Sequence, residues 1–184
     1  MYHEALQHLR QGDTLLYSSD TSWALGCDAR NEKAFDKVIS LKQQTDNELV
    51  VILISKIEQL SEYVVEVPEI AWNLVEFAEK PLTVIYPKGK SLPTKLMGTD
   101  GSIAIRLVKD EFCKGLIYKF ERGIVSVSAN ISGQVSPTKF DDISSEIING
   151  ANYILHNPKG ENKNPQYSQI VKLGLGGEFE FIRK

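Results

Sequence analysis

The sequence predicts an α/β fold, a single domain built around a twisted mixed sheet flanked by helices. Three observations carry that prediction. Short apolar, β-branched runs alternate with amphipathic stretches through most of the chain, the order expected when helices cover a sheet. Short strand-like segments then crowd together near the C-terminal end. The 184 residues contain no repeat, low-complexity tract or internal linker, so residues 1–184 read as one domain with a substantial core and no second domain.

The elements follow in order. Ala5, Leu6 and Leu9 recur at helical spacing over residues 2–11, and Gly12-Asp13 ends that helix. Thr14-Leu15-Leu16-Tyr17 reads as a short buried strand that runs into the polar turn Ser18-Ser19-Asp20-Thr21-Ser22. Asn31 is placed to cap a helix with Ala34, Phe35, Val38, Ile39 and Leu41 on one face, ending near Lys42-Gln43-Gln44. Residues 49–54 are an unbroken apolar run, which suits a strand covered on both faces. Residues 57–60 and 68–78 read as helices, the second with Pro68 in its first turn, where a missing N–H costs little. Strands are expected over 82–86 and 102–107, separated by loop-like residues 87–101. Helices are expected over 111–120 and 140–148, the latter opening on Asp141-Asp142. Strands over 152–156, 169–173 and 178–182 complete the set, and polar residues 157–166 read as a loop able to serve as a mobile lid.

Composition narrows the function classes. The apolar share of 42% and charged share of 24% are those of a globular domain in water, and no run reaches the length of a membrane span. Met1-Tyr2-His3-Glu4 opens neither a signal nor a transit peptide, so a cytoplasmic location with no membrane partner is expected. Cys27 and Cys113 stand far apart without a CxxC spacing and read as reduced core thiols. A net charge of −3 excludes a protein that grips nucleic acid over its whole surface, while leaving room for a local basic groove.

Chemistry-bearing residues collect in four polar turns: 18–22, 42–48, 126–136 and the loop ending at Tyr167-Ser168. In an open α/β sheet such turns gather where ligands bind beyond the strand ends. The densest is Ser126-Val127-Ser128-Ala129-Asn130-Ile131-Ser132-Gly133, which follows the apolar Gly123-Ile124-Val125. Small donors and acceptors of this kind either build an anion or nucleotide pocket or form an ordinary strand exit. Arg106 ends the run Ile103-Ala104-Ile105 and is either a fork for a carboxylate or phosphate or an ion-paired edge residue. No P-loop is present: Gly98-Thr99-Asp100-Gly101 lacks the lysine, and Gly174-Leu175-Gly176-Gly177 reads as a hairpin turn. No Ser-His-Asp signature occurs, and His3, His8 and His156 read as structural or surface groups. Trp23 and Trp72 read as packing residues, with base stacking an open alternative for Trp23 beside its polar turn.

Together these segments resemble the YrdC family, the catalytic domain of threonylcarbamoyl-AMP synthases, from about residue 5 onward. Residues 18–29 resemble the family's Pro-Thr-Asp-Thr-x-aromatic-Gly-Leu-Gly-x-Asp-Ala, and Ser102 to Arg106 its hydroxyl-x-x-x-Arg strand. Ser126 to Gly133 resembles its Ser/Thr-x-Ser-Ala-Asn-x-Ser-Gly segment almost letter for letter. Ser168-Gln169-Ile170-Val171 and Arg183 fall where the family has Ser-Thr-Ile-Val and a closing arginine.

The resemblance implies a YrdC-like α/β fold with a deep concave groove. It implies a nucleotidyltransferase that makes L-threonylcarbamoyladenylate and pyrophosphate from L-threonine, bicarbonate and ATP, for N6-threonylcarbamoyladenosine modification of tRNA. It implies threonine contacts from Thr21, Arg106, Ser126 and Ser168, with Arg106 on the carboxylate. It implies ATP contacts from Lys42, Gln44, Ser102, Ser128, Ser136 and Arg183, and catalytic duties for Lys42, Arg106, Ser128 and Asn130 without a covalent intermediate. Mg²⁺ is implied on the triphosphate, held more by phosphates and water than by protein carboxylates, with no metal site assigned to the protein itself. tRNA-modification proteins are the implied partners.

The chain also departs from the family pattern. Ser18-Ser19 stand for Pro-Thr, Ala24 for a glycine, and Lys42-Gln43-Gln44 for Lys-x-Arg, while Glu48 puts an acid where a lysine or proline is common. Losing one charge-assisted contact costs about 1.5–3 kcal/mol. Lys88, Lys90 and Lys159 are the candidates to restore the charge. The alternative reading is a catalytically weak paralogue that binds nucleotide, amino acid or structured RNA (tRNA or double-stranded RNA, as a translation factor), the RNA role needing a basic groove. Carbamoyl transfer to another substrate is a third reading.

Overall fold

The structure, a computed structural model, describes residues 2–44, 48–158 and 167–183. It runs α1 (His3–Gln11), β1 (Leu15–Ser18), β2 (Trp23–Gly26), α2 (Glu32–Lys42), β3 (Val51–Ile54), α3 (Leu60–Tyr63), α4 (Glu69–Glu76) and β4 (Leu82–Tyr86). There follow β5 (Ile103–Leu107), α5 (Glu111–Phe120), β6 (Ile124–Ser128), α6 (Ser145–Gly150), β7 (Tyr153–Leu155), β8 (Gln169–Leu173) and β9 (Phe179–Arg183). The strands among the described residues join one sheet in the order β7-β1-β2-β6-β3-β5-β4-β8-β9. The pairs β1/β7, β3/β5 and β4/β8 are parallel and the rest antiparallel, so the sheet is mixed, as expected.

Side chains alternate across each strand, and this period of two divides the sheet's faces. Leu16, Trp23, Leu25, Ile52, Ile54, Val84, Ile105, Val125 and Val127 point to one face, where α2, α3, α4 and α6 bury them. Leu15, Tyr17, Ala24, Leu53 and Ile124 point to the other, beneath α1 and α5. Those two helices pack on each other and cover only part of the second face. The remainder, from Ser126 on β6 across Arg106 on β5 to Ile170 on β8, opens into a groove.

Local signals set the helix ends that matter for this groove. The Asn31 side chain accepts the Ala34 N–H at 3.1 Å and starts α2. At its other end Gln43 takes a left-handed conformation with φ 52°, and the N–H groups of Gln43 and Gln44 donate to Ser40 and Ile39 carbonyls.

Several expectations need correction. The pattern assigns no element to Trp23–Gly26, yet it forms β2 between β1 and β6. The strand expected over 49–54 begins at Val51, and Leu49 is 44% exposed. Residues 140–148 are not one helix. A 3₁₀ turn at Phe140–Asp142 stops where Ile143 turns extended, and Ser144 then caps α6 by accepting the Ile147 N–H. Asp142 accepts the Lys139 N–H, closing its own turn instead of feeding a longer helix. Cys27 and Cys113 are free and buried, and burial pushes both thiols well above the ordinary range. Among the described residues no helix is long and apolar enough to cross a membrane. Most of the 157–166 segment lies outside the described residues.

Candidate functional site

The open part of the sheet carries a row of cross-strand partners. Arg106 on β5 pairs with Thr83 on β4, Thr83 with Ile170 on β8, and Ile170 with Arg183 on β9. Directly opposed residues share a face, so Arg106 and Arg183 bracket the groove across three strand spacings of about 4.8 Å each. Ser126 and Ser128 lie on the same side of β6, opposite Val51 and Ala24.

These side chains, with Thr21, Ser136 and Ser168, line an open cavity. Arg106 and Arg183 are its cations, and among the described residues no carboxylate lines it. Gln44 and Ser102 line a second, larger cavity with Glu48, Phe35, Leu96 and Met97, and Leu49 borders both. Lys42 and Asn130 line neither: they stand inside the wall between the two, bonded to Ser128.

The polar turn at 18–22 is tied by Ser19. Its Oγ accepts the N–H groups of Thr21 and Ser22 at 3.2 Å each and donates to the Ser22 carbonyl at 2.6 Å. That turn aims Asp20 and Thr21 at Arg106, which is 5% exposed. Nη2 of Arg106 lies 3.0 Å from Asp20 Oδ1, and Nη1 donates to Thr21 Oγ1 at 3.4 Å. The Nε–H is buried and has no acceptor among the described residues. A buried guanidinium with an unspent donor is suited to receive a carboxylate or phosphate. Burial pushes the Asp20 carboxyl above its usual range, and the Arg106 charge opposes that shift.

Across the groove Ser168 is held from two sides. Thr83 Oγ1 donates to Ser168 Oγ at 2.9 Å, and Arg183 donates from Nε to the Ser168 carbonyl at 2.9 Å and from Nη2 to Oγ at 3.2 Å. The Arg183 guanidinium also stacks over the Tyr167 ring, 5.4 Å from its centroid.

The wall between the cavities is braced by Lys42, which is 1% exposed. Its Nζ donates to the Ser128 carbonyl at 3.0 Å, Ser128 Oγ at 3.1 Å and the Asn130 carbonyl at 3.0 Å. Glu48 Oε2 pairs with it at 3.3 Å. Asn130 Nδ2 in turn donates to the Ile131 and Gln134 carbonyls at 2.9 and 2.8 Å. Burial pulls the Lys42 ammonium below the ordinary lysine range, and Glu48 pulls it back up.

The comparisons agree with this architecture. A family profile described as "Telomere recombination" (Sua5/YciO/YrdC) matches residues 7–184. The chain belongs to the Sua5/YciO/YrdC family. A relative from Acinetobacter baumannii named threonylcarbamoyl-AMP synthase is 30% identical over 180 residues, covering 94% of each chain. The crystal structure of Pyrococcus abyssi Sua5 complexed with L-threonine superposes with a TM-score of 0.84 at 29% identity, over 92% of this chain. The chain spans about half the length of that protein, 50% of it being covered. The Escherichia coli YciO structure superposes with a TM-score of 0.82 at 20% identity, covering 98% of this chain and 87% of that one, a likeness of fold.

Sua5/YciO/YrdC membership does not alone account for the groove's wiring. Sequence reasoning did not single out Asp20 as the partner of Arg106, or Thr83 and Tyr167 as supports of Ser168 and Arg183. Thr83 sits on a strand read only for its apolar pattern, and its role depends on pairing with β8. Lys88 and Lys90 line neither cavity, so they do not replace the charge missing at Gln44. Lys159 lies outside the described residues. Trp23 is fully buried against Phe140 and His156, a packing role that leaves no face for a base.

Proposed function

We propose that this groove binds L-threonine and ATP and, with bicarbonate, forms L-threonylcarbamoyladenylate and pyrophosphate. The observation that carries the reading is Arg106: a buried cation paired with Asp20, set among the hydroxyls of Thr21, Ser126 and Ser168 in a cavity that no carboxylate lines among the described residues. An amino-acid carboxylate fits that fork, and the surrounding hydroxyls suit its amine and side-chain oxygen. The names of the relatives support the same substrate class.

The chemistry needs no covalent enzyme intermediate. The threonine amine adds to CO₂ with loss of a proton to solvent, or to bicarbonate with loss of water, and an oxygen of the resulting carbamate then displaces pyrophosphate from the α-phosphorus of ATP. The chain's part is to align the reactants and offset charge, with Arg106 and Arg183 as fixed cations and Ser128 and Ser136 as donors between them. Magnesium would enter with ATP as substrate, held by phosphates and water. The product would pass in the cytoplasm to proteins that modify tRNA.

A second reading rests on a different observation. Gln44 is uncharged and Glu48 neutralises Lys42, which suits a weakly catalytic paralogue that binds nucleotide or RNA. Incubation with ATP, Mg²⁺, bicarbonate and labelled threonine separates the two. Pyrophosphate released only when threonine is present is the expected result, and its absence at high enzyme concentration overturns the synthase reading. Revival of turnover by Gln44→Arg would trace weak activity to that one charge.

A further inference from the structure

We propose that Glu48 sets how much phosphate charge the groove admits, which makes it a specificity residue for the nucleotide; the inference rests on the reading that a nucleotide occupies this groove. Glu48 lines the larger cavity, and Ser128 lines the smaller one. Both touch Lys42 Nζ, Glu48 through Oε2 at 3.3 Å and Ser128 through Oγ at 3.1 Å. Lys42 therefore braces the wall between the two cavities, with Ser128 lining one side and Glu48 the other.

Three contacts hold Glu48 at that wall. Ser132 Oγ donates to Oε1, Lys42 takes Oε2, and Gln44 Nε2 donates to the Glu48 backbone carbonyl at 3.2 Å. The Glu48 side chain is 31% exposed while Lys42 is 1% exposed, so an incoming anion meets the negative member of the pair. The other cations of the larger cavity are also committed. Lys95 pairs with Asp36 at 2.8 Å and Glu32 at 3.4 Å, and Lys172 with Asp100 at 3.5 Å. Gln44 adds no charge, and its buried Oε1 has no donor among the described residues. That oxygen matches a hydroxyl or amine on the ligand, not a phosphate oxygen.

The two cavities thus differ in sign. The smaller one keeps the positive charge of Arg183, Arg106 being paired with Asp20, while each described lysine of the larger one faces a carboxylate. A single phosphate near the arginines is favoured. Each further phosphate that extends into the larger cavity approaches Glu48, and like-charge contact disfavours it. A nucleoside monophosphate, or a triphosphate partly neutralised by magnesium, is admitted ahead of free triphosphate.

Calorimetric titration of the whole protein with AMP, with ATP in EDTA and with ATP plus magnesium tests this. Glu48→Gln keeps a partner for Ser132 and removes only the charge. It is expected to tighten metal-free ATP roughly tenfold and to change AMP affinity by less than about threefold. Equal effects on both nucleotides, or none on either, overturn the role of Glu48 and leave the nucleotide site standing. Failure of every nucleotide to bind overturns the site and the inference together. The wild-type protein supplies a second measurement that does not depend on the variant folding. Added salt screens repulsion, so the gap between AMP and metal-free ATP should narrow, and a gap that widens overturns the proposal.

Discussion

Arg106 Nη2 lies 3.0 Å from Asp20 Oδ1 while Nη1 donates to Thr21 Oγ1, so adjacent residues of one turn grip the same guanidinium. Nη1 is hydrogen-bonded, Nη2 is paired by charge, and the Nε–H is buried without an acceptor among the described residues. Arg106→Lys keeps the charge but cannot hold the turn and a carboxylate together. The expected result is a rise of roughly ten- to a hundredfold in KM for threonine, with a smaller change in kcat. Initial-rate kinetics read it. A threonine KM at the wild-type level would remove Arg106 from carboxylate binding.

Asp20 makes that grip dependent on pH. Burial holds its carboxyl above the usual range, with Arg106 pulling the other way. Once protonated, Asp20 no longer pairs with the guanidinium, so threonine affinity should fall as pH drops through the raised value. Its contribution to stability has the opposite sense. A carboxyl whose folded pKa exceeds its unfolded one stabilises the fold most below the unfolded value, and that stability is lost as pH rises through the folded value. Asp20→Asn should weaken threonine binding at neutral pH and flatten its acid limb. Threonine titrations across the acid to neutral range check this, and an acid limb that survives in Asp20→Asn assigns the proton to another group.

Lys42 holds the wall of the groove together before it does any chemistry. Lys42→Ala strips the buried Ser128 and Asn130 carbonyls of a donor and leaves Glu48 without its cation. The expected loss is about 3 kcal/mol of stability, read as a lower denaturant midpoint. Because burial lowers the ammonium's folded pKa below the unfolded value of 10.5, the unfolded chain binds the proton more tightly. Stability from this group therefore rises with pH between those two values. Glu48→Gln removes the upward pull, so the Lys42 ammonium should titrate lower still by NMR.

Much of this is legible in the chain because it follows local rules. Asn31 as a cap, α5 at Glu111–Phe120 and the alternation that puts Ser126 and Ser128 opposite Val125 and Val127 all come from short-range spacing. The polar turns at 18–22 and 126–136 could be named as candidates for the same reason. What the chain does not reveal depends on distant partners. Asp20 meets Arg106 only when the turn after β1 comes to lie against β5. Lys42 looks like a free phosphate ligand until Ser128, Asn130 and Glu48 close around it. The break at Ile143 is a different case. Ser144 is a local cap signal, and the acidic pair before it outweighed that signal in the reading of one helix.

Gly26 shows how tightly β2 is seated between its neighbours. A Cβ there would stand 2.3 Å from the Val125 carbonyl oxygen and 2.8 Å from Tyr17 Cε1. The tyrosine ring is itself buried, and its hydroxyl donates to that same carbonyl at 3.4 Å. Neither group can retreat without parting β2 from β6. Gly26→Ala should therefore cost about 3 kcal/mol, a fall of roughly 6–12 °C in Tm. The strain would also reach the groove, because Ala24 on β2 pairs with Ser128 on β6, whose hydroxyl and carbonyl hold Lys42. A thermal melt and a nucleotide titration on the same variant should shift together. A lower Tm with unchanged nucleotide affinity would show that the β2–β6 contact supports the sheet without positioning the Lys42 wall.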